Sequence, residues 1–146
     1  MTSTRIPRPE HPRPQFQRKN WVNLNGPWTF TFDFGKSGDH AGRDWPKSHG
    51  FDRNITGPFC PESELSGVGH KDFIPAMWYH RKVRIPAGWE GRRVLLHFGG
   101  VDYESTLYVD GQWVGRHFGG TVSFSVCNPD RCIIEKVQVS AAAPSR

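Results

Sequence analysis

The stretch from Trp89 to Gly120, WEGRRVLLHFGGVDYESTLYVDGQWVGRHFGG, contains three apolar runs and decides how the chain folds. The pair Asp110-Gly111 separates the last two runs. A two-residue type I′ turn needs positive φ at both central positions, and Asp-Gly is one of the pairs that adopt this conformation most readily. The pattern therefore predicts a β-hairpin in which residues 105–109 pair with residues 112–116, within a compact antiparallel core.

Further strands are predicted on both sides of this hairpin. Aromatic and polar residues alternate over residues 28–34, which places four aromatic side chains on one face of a strand. Strands are also predicted over residues 78–85, 93–98 and 122–126, with residues 93–98 buried on both faces. Residues 133–139 offer a final strand. The chain as a whole is predicted to be all-β.

Three upstream segments join the hairpin stretch in resembling a known family. They are residues 18–32 (RKNWVNLNGPWTFTF), 57–67 (GPFCPESELSG) and 77–89 (MWYHRKVRIPAGW). Their order, over roughly residues 8 to 126, resembles the amino-terminal domain of glycoside hydrolase family 2, the β-galactosidase and β-glucuronidase family. The resemblance implies an antiparallel jelly-roll-like β-sandwich of the galactose-binding-domain-like type.

The length of the chain limits what this resemblance implies. Family members carry their catalytic pair on a (β/α)₈ barrel, which needs about 250 residues by itself. The chain has 146 residues, the size of one ordinary domain. The resemblance thus implies a sugar-binding domain that lacks the barrel, is inactive alone, and derives from a retaining hydrolase of terminal β-glycosides. The implied partners are a β-linked carbohydrate and either a barrel domain or a second copy of the chain.

Composition divides the chain into three parts. Residues 1–20 are rich in proline and arginine and are expected to form an extended arm. Residues 21–139 are expected to form the sandwich domain, with a polar surface excursion over residues 35–56. Residues 140–146 are small and alanine-rich, which predicts a disordered tail. The family pattern fails after Val126, which a truncation or frame change near that residue would explain. If the last strand is wrong as a result, one sheet keeps an unpaired edge.

The loop from Pro58 to Gly67 is the predicted sugar-contacting segment. Glu62 and Ser63 carry groups that accept and donate hydrogen bonds to sugar hydroxyls. The alternative is that both side chains only order the loop against its own backbone. Glu62 and Glu64 are also the obvious candidates for a retaining carboxylate pair, whose groups lie about 5 to 5.5 Å apart. Their place in a turn-rich loop favours solvated side chains, so no catalytic residue is predicted.

Exposed aromatic side chains are a second way for a β-sandwich to hold a sugar, because a flat ring offers apolar area beside hydroxyl groups. Core or interface packing is the favoured alternative for such residues. The available aromatic residues are Trp45, Trp89, Trp113 and Tyr103. The tryptophans predicted to lie in the core are Trp21, Trp28 and Trp78.

No residue pattern predicts a cofactor or a metal. The histidines lack tight ligand spacing, and neither a nucleophile elbow nor a phosphate-binding glycine loop occurs. The cysteines, Cys60, Cys127 and Cys132, are odd in number, which favours a reducing compartment. The sequence has no apolar run long enough to span a membrane, and its first residues lack a signal-peptide pattern. A cytoplasmic location without membrane contact is therefore expected.

The net charge of +5 raises nucleic-acid binding as a function of another class. Basic residues of the predicted strands alternate with core residues, as solvated strand faces do, so no nucleic-acid partner is predicted. Two alternatives stay open. A free-standing carbohydrate-binding module predicts a saturable response to sugars, whereas an interaction module predicts association with a barrel-bearing chain and no sugar response.

Overall fold

A computed structural model describes residues 5–10, 18–38, 45, 51–101, 103–119, 122–127 and 137–142. The strands in these ranges are β1 Gly26–Phe32, β2 Arg53–Gly57, β3 Met77–Arg81, β4 Val94–Phe98, β5 Glu104–Val109, β6 Gln112–Phe118, β7 Val122–Cys127 and β8 Val137–Ala142. Short 3₁₀ turns occupy Glu64–Ser66 and Ala87–Trp89. The strand pairings β1–β3, β3–β8, β8–β5, β5–β6 and β4–β7 are all antiparallel, which confirms the all-β prediction for the described residues.

The chain divides into two compact units, of which the larger contains residues 29–53 and 73–146. Its main sheet has the strand order β1, β3, β8, β5, β6, and β4 pairs with β7 in a second sheet. Both sheets contribute buried apolar side chains. This unit is an antiparallel jelly-roll-like β-sandwich, as the resemblance implies.

One face of the main sheet supplies most of the core. Phe30 of β1 lies opposite Tyr79 of β3, and the register continues through Val139 to Leu107 of β5. Directly opposite residues of antiparallel strands lie on the same face of a sheet. Phe30, Tyr79 and Leu107 therefore form one row across the sheet, in which Leu107 is fully buried.

Strand β4 shows that the second sheet has only one core-facing side. Val94 and Leu96 are buried, whereas Leu95 between them is 46% exposed. This alternation is typical of a strand with one solvated face. The prediction that residues 93–98 are buried on both faces is wrong, because β4 belongs to a two-stranded sheet rather than to the middle of a large one.

Strand β8 lies inside the main sheet, between β3 and β5. It pairs with β3 over residues 137–141 and with β5 over residues 137–142. The segment of residues 140–142 therefore belongs to a strand and not to the disordered tail predicted from its alanine-rich composition. An alanine-rich composition is compatible with a strand at this place, because backbone hydrogen bonds to the neighbouring strands hold it in the sheet. No unpaired edge opens at this place in the sheet.

The predicted hairpin is present as β5 and β6. Asp110 and Gly111 have φ values of 54° and 72°, the positive pair that a type I′ turn requires. Val109 lies opposite Gln112, and a register shift follows between Leu107 and Tyr108. The turn residues alone thus determine where the chain reverses.

Replacing Gly111 by alanine is expected to lower the free energy of unfolding by about 1 kcal/mol, because an L-residue in the left-handed region costs about 1–2 kcal/mol. Urea denaturation followed by tryptophan fluorescence measures this change. The control is Gly88→Ala, because no atom lies within 4 Å of the added Cβ and its φ is not positive. Equal losses in both variants would contradict the turn assignment.

The smaller unit contains residues 1–28 and 54–72. Within it, the side-chain amide of Asn25 donates hydrogen bonds to the carbonyl oxygens of Pro7 at 3.1 Å and Arg8 at 3.2 Å. The indole N–H of Trp28 donates to the carbonyl of Leu24 at 2.9 Å. Part of the predicted arm is therefore anchored by hydrogen bonds to the residue that precedes β1.

Strand β2 lies at the end of the predicted surface excursion and was not predicted. Ile55 is buried, whereas Arg53 and Asn54 are exposed. One apolar residue in a five-residue strand leaves no period-two signal in the sequence. β2 forms because it is the hydrogen-bonded neighbour of β1 in the sheet order.

Several predictions fall on residues outside the described ranges. They concern residues 1–4 and 11–17 of the arm, 39–44 and 46–50 of the excursion, 143–146 of the tail, and Cys132.

Candidate functional site

The predicted sugar-contacting loop is held together by its own hydrogen bonds. The Ser63 hydroxyl accepts a bond from the backbone N–H of Leu65 at 3.2 Å, as an N-cap residue does. The 3₁₀ turn ends at Gly67, whose φ of 81° is the left-handed conformation that favours glycine. The backbone N–H of His70 donates to the carbonyl of Pro61 at 3.0 Å, which joins the two sides of the loop.

Ser66 is the buried centre of this loop. Its hydroxyl donates to the carbonyl of Ser63 at 2.6 Å and accepts from the backbone N–H of Val68 at 3.1 Å. Both hydrogen-bonding functions of a buried hydroxyl are thus satisfied. The sequence analysis missed this residue, although a serine that precedes Gly67 in a turn-rich loop is a recognisable signal.

Glu62 and Ser63 lie side by side at the start of this 3₁₀ turn. The Glu62 side chain is exposed, and the Glu64 side chain, two residues on, is exposed as well. The Ser63 hydroxyl is engaged as a cap, which supports the interpretation that it orders the loop, while its hydroxyl hydrogen is still able to donate. The loop thus presents a carboxylate beside a hydroxyl on a braced backbone. Contact of this pair with a sugar stays a prediction.

A buried carboxylate in the larger unit accepts four hydrogen bonds. Asp33 follows β1 and is only 3% exposed. One of its oxygens accepts hydrogen bonds from the backbone N–H of Gly38 at 2.7 Å and the indole N–H of Trp78 at 3.1 Å. The other accepts from the backbone N–H of Ser37 at 2.9 Å and from the Ser37 hydroxyl at 3.3 Å. We call this arrangement the Asp33 clamp.

The Asp33 clamp changes the acidity of its carboxyl group. Burial opposes ionisation, but the hydrogen bonds from Ser37, Gly38 and Trp78 outweigh it and lower the pKa of Asp33 below its usual range. The carboxylate is therefore ionised at neutral pH and accepts all four bonds. It joins the turn after β1 to the indole of β3, so its function is to position the turn and the sheet rather than to react.

The Asp33 clamp was not predicted, because Asp33 is one of the polar residues that alternate with the aromatic ones over residues 28–34. A local signal was present, since an aspartate followed four and five residues later by serine and glycine is typical of a turn capped by its own side chain. The bond to Trp78 joins residues 45 positions apart and has no signal in the sequence.

Residues 49–128 match the family model described as glycosyl hydrolases family 2, sugar binding domain. The matched range includes the loop around Glu62 and the β5–β6 hairpin. The chain belongs to glycosyl hydrolase family 2.

Besides a β-galactosidase of Thermoanaerobacter pseudethanolicus, which matches 37% of this chain, the relatives of this family 2 domain include several β-glucuronidases. That of Streptococcus agalactiae serotype V is 30% identical over 126 residues, which are 86% of this chain and 20% of that protein. That of Felis catus is 29% identical over 119 residues, which are 76% of this chain and 18% of that protein. The solved β-glucuronidase of Lactobacillus rhamnosus has the same fold, with a TM-score of 0.68 at 21% identity over 84% of this chain and 21% of that one. The family 2 domain thus spans about a fifth of the length of these β-glucuronidases.

The aromatic residues of the family 2 domain are distributed differently from the prediction. Trp78 is buried in the core as predicted, and Trp45 packs on it with ring centroids 5.9 Å apart. Trp28 is half-buried and Trp21 is exposed, so the core prediction is wrong for Trp21. Trp21 precedes β1 and lies outside the strands of the described residues.

The remaining candidates of the family 2 domain lie on turns and on the hairpin. Trp89 is half-buried in a 3₁₀ turn, whereas Tyr103 and Trp113 are exposed near and on the hairpin. Of the aromatic residues considered for sugar contact, these two are the accessible ones.

Metal-binding groups and membrane-spanning helices are both absent from the residues that the structure describes. Among these residues, no three His, Cys, Asp or Glu side chains come together in a group that could hold a metal ion. No helix in the described part of the chain is long and apolar enough to cross a membrane. Cys60, whose side chain is described, is a free and exposed thiol.

Proposed function

We propose that this chain is the sugar-binding part of a family 2 glycosidase that hydrolyses terminal β-linked glycosides, with β-glucuronides as the favoured substrate class. The observation that carries the proposal is the match to the family's sugar binding domain in a chain that is similar over most of its length to β-glucuronidases. The expected partner of the chain is a barrel domain or a second copy of the chain, and its expected location is the cytoplasm.

The loop around Glu62 is the part of the smaller unit best suited to contact the sugar. Its backbone is held by the Ser63 cap, the buried Ser66 hydroxyl and the bond between His70 and Pro61. A loop that is ordered before binding loses less conformational entropy when it binds. The exposed carboxylate of Glu62 accepts hydrogen bonds, which suits the many hydroxyl donors of a sugar ring.

Hydrolysis in this proposal depends on another domain. A retaining glycosidase needs two carboxyl groups on opposite sides of the scissile bond, one of them an acid with a raised pKa. Glu62 and Glu64 are both exposed in one loop, where solvent surrounds each carboxylate. The chain alone is therefore expected to bind a sugar and not to cleave it.

Calorimetric titration of the chain with methyl β-D-glucuronide tests the proposal. Saturable binding is expected, and Glu62→Gln is expected to weaken it by about tenfold, because a hydrogen bond to a charged group contributes roughly 1.5–3 kcal/mol. A chromogenic β-glucuronide is expected to stay uncleaved by the chain.

Two matched controls make this result specific. Glu64→Gln removes the charge of another exposed carboxylate in the same loop and is expected to leave the affinity unchanged. Methyl α-D-glucoside is expected not to bind. Absence of binding for the β-glucuronide, or equal effects of the two glutamate substitutions, would count against the sugar contact at Glu62.

A further inference from the structure

The strand register places a second group of polar and aromatic residues on one face of the β5–β6 hairpin. Glu104 lies opposite Phe118, and Thr106 lies opposite Arg116. After the register shift, Tyr108 lies opposite Trp113. Opposite residues share a face, so Trp113, Arg116 and Phe118 of β6 are on the same side as Glu104 of β5. This side is the reverse of the one that carries the fully buried Leu107.

The aromatic residues on this side are accessible to solvent. Trp113 is 64% exposed, Phe118 is 52% exposed, and Tyr103, which precedes β5, is 49% exposed. Aromatic side chains exposed to this degree and close together mark a binding surface more often than single exposed ones do. We call Tyr103, Trp113 and Phe118, together with Glu104 and Arg116, the aromatic face.

Contacts within the aromatic face hold its members in place. The rings of Tyr103 and Phe118 lie 5.9 Å apart at an angle of 59°. The guanidinium of Arg116 lies over the ring of Phe118, 5.0 Å from its centroid, and forms an ion pair with the carboxylate of Glu104. On the same side of the sheet, the ring of Tyr108 packs 5.7 Å from that of Trp78, which is buried. The surface is therefore built on paired strands and ordered before any ligand arrives.

The position of the charges on the aromatic face distinguishes a sugar from a protein partner. The centre of a protein–protein interface is depleted in charged residues, which collect at the rim. Here Arg116 lies in the register between Trp113 and Phe118, and Glu104, with which it forms an ion pair, lies opposite Phe118. A sugar needs this mixture, because its ring faces stack on aromatic rings while its hydroxyls bond to donors and acceptors between them.

The length of the aromatic face indicates the size of the ligand. Trp113 lies opposite Tyr108, and Phe118 lies opposite Glu104, so the two rings are separated by four positions along β5. At about 3.4 Å for each residue, this corresponds to about 14 Å. One pyranose ring is shorter than this, and only an oligosaccharide contacts both ends.

We propose that the aromatic face is a second carbohydrate site, which binds a β-linked oligosaccharide across Trp113 and Phe118. Sugar rings stack on these two residues and on Tyr103, while Arg116 and Glu104 bond to hydroxyls between them. Because the ion pair leaves no net charge at the centre, hydroxyls rather than carboxylates are the groups recognised. This inference rests on the proposed function that the domain binds carbohydrate, but it concerns the larger unit, whereas the loop around Glu62 belongs to the smaller one.

The test is calorimetric titration of the chain with β-linked tetrasaccharides of glucose, of galactose, and of alternating glucuronate and N-acetylglucosamine. At least one is expected to bind tenfold or more tightly than its own methyl monosaccharide, since it reaches both ends of the aromatic face. Trp113→Ala is expected to remove roughly that tenfold gain, because an aromatic anchor often dominates a binding surface. Trp113→Tyr, which keeps an aromatic ring with a polar tip, is expected to retain most of it.

The control for Trp113→Ala is Phe73→Ala, which removes an equally accessible aromatic ring, 63% exposed, outside the aromatic face. It is expected to leave the tetrasaccharide affinity unchanged. The inference is overturned if no tetrasaccharide exceeds its monosaccharide, if Trp113→Ala has no effect, or if the chain self-associates in sedimentation experiments and Trp113→Ala only makes it monomeric. The proposed function fails separately, when methyl β-D-glucuronide does not bind at all.

Discussion

Replacing Asp33 by alanine is expected to lower the free energy of unfolding by about 3 kcal/mol at neutral pH. The substitution removes the acceptor of the Trp78 indole N–H and the Gly38 backbone N–H, both of which lie in buried surroundings. A buried donor left without its acceptor costs about 1–3 kcal/mol, and bonds to a charged acceptor are at the upper end of this range. Urea denaturation with tryptophan fluorescence measures the loss.

The effect of Asp33→Ala depends on pH in a direction that the pKa determines. The pKa of Asp33 in the folded chain lies below its ordinary value of 3.8, so the carboxylate stabilises the fold above that value. This stabilisation is lost as the pH falls through the lower, folded-state pKa. The difference between wild type and variant is therefore expected to be largest above about pH 5 and to shrink in stronger acid. Asp52→Ala, at an exposed aspartate, is the control and should change neither stability nor its pH dependence.

Replacing Gly38 by alanine is expected to cost about 2–3 kcal/mol of stability, because overpacking a tightly filled site typically costs about 1–3 kcal/mol. An added Cβ would lie 2.4 Å from Nε1, 2.5 Å from Cε2 and 2.7 Å from Cζ2 of Trp78. That indole is buried and hydrogen-bonded to Asp33, so both its packing and its hydrogen bond resist a shift of the ring away from the added methyl group. Thermal or urea unfolding of the single variant measures the loss.

A double-mutant cycle identifies the cause of the Gly38→Ala loss. Trp78→Phe replaces the indole with a smaller ring, which leaves more room for the new methyl group. Gly38→Ala is therefore expected to lower the free energy of unfolding much less in that background than in wild type. Gly35→Ala is the control within the same turn, since its nearest neighbour would be the Ser37 hydroxyl at 3.6 Å, an ordinary contact. If Gly38→Ala costs the same with Trp78 and with Phe at position 78, the steric explanation is wrong.

The hairpin and the aromatic strand β1 could be predicted because their signals are local. Asp110 and Gly111 specify a turn through their own backbone preferences, and the structure has both residues at positive φ. Alternation over β1 also predicts which side chains share a face, and Phe30 on that face is buried. Phe34, in the same series, is exposed because it follows the end of the strand.

The elements that were missed depend on neighbours distant in sequence. β2 has one apolar residue and forms beside β1. Residues 140–142 form the end of β8 because β5 pairs with all three of them and β3 pairs with the first two. The candidate site likewise has one part that the sequence predicted and one part that it did not. The loop around Glu62 was located from its residues, whereas its bracing by Ser66 became visible only in the structure.

The sequence by itself determined the all-β class, the position of the chain reversal at Asp110-Gly111 and the family. Each of these depends on residues that are adjacent in the chain or that recur with a short period. Only the tertiary structure decided that Asp33 is buried against Trp78, that β8 lies between β3 and β5, and that Trp113, Arg116 and Phe118 share an exposed face. The physical reason is that burial and strand order are properties of pairs of segments, whereas a sequence pattern reports on one segment at a time.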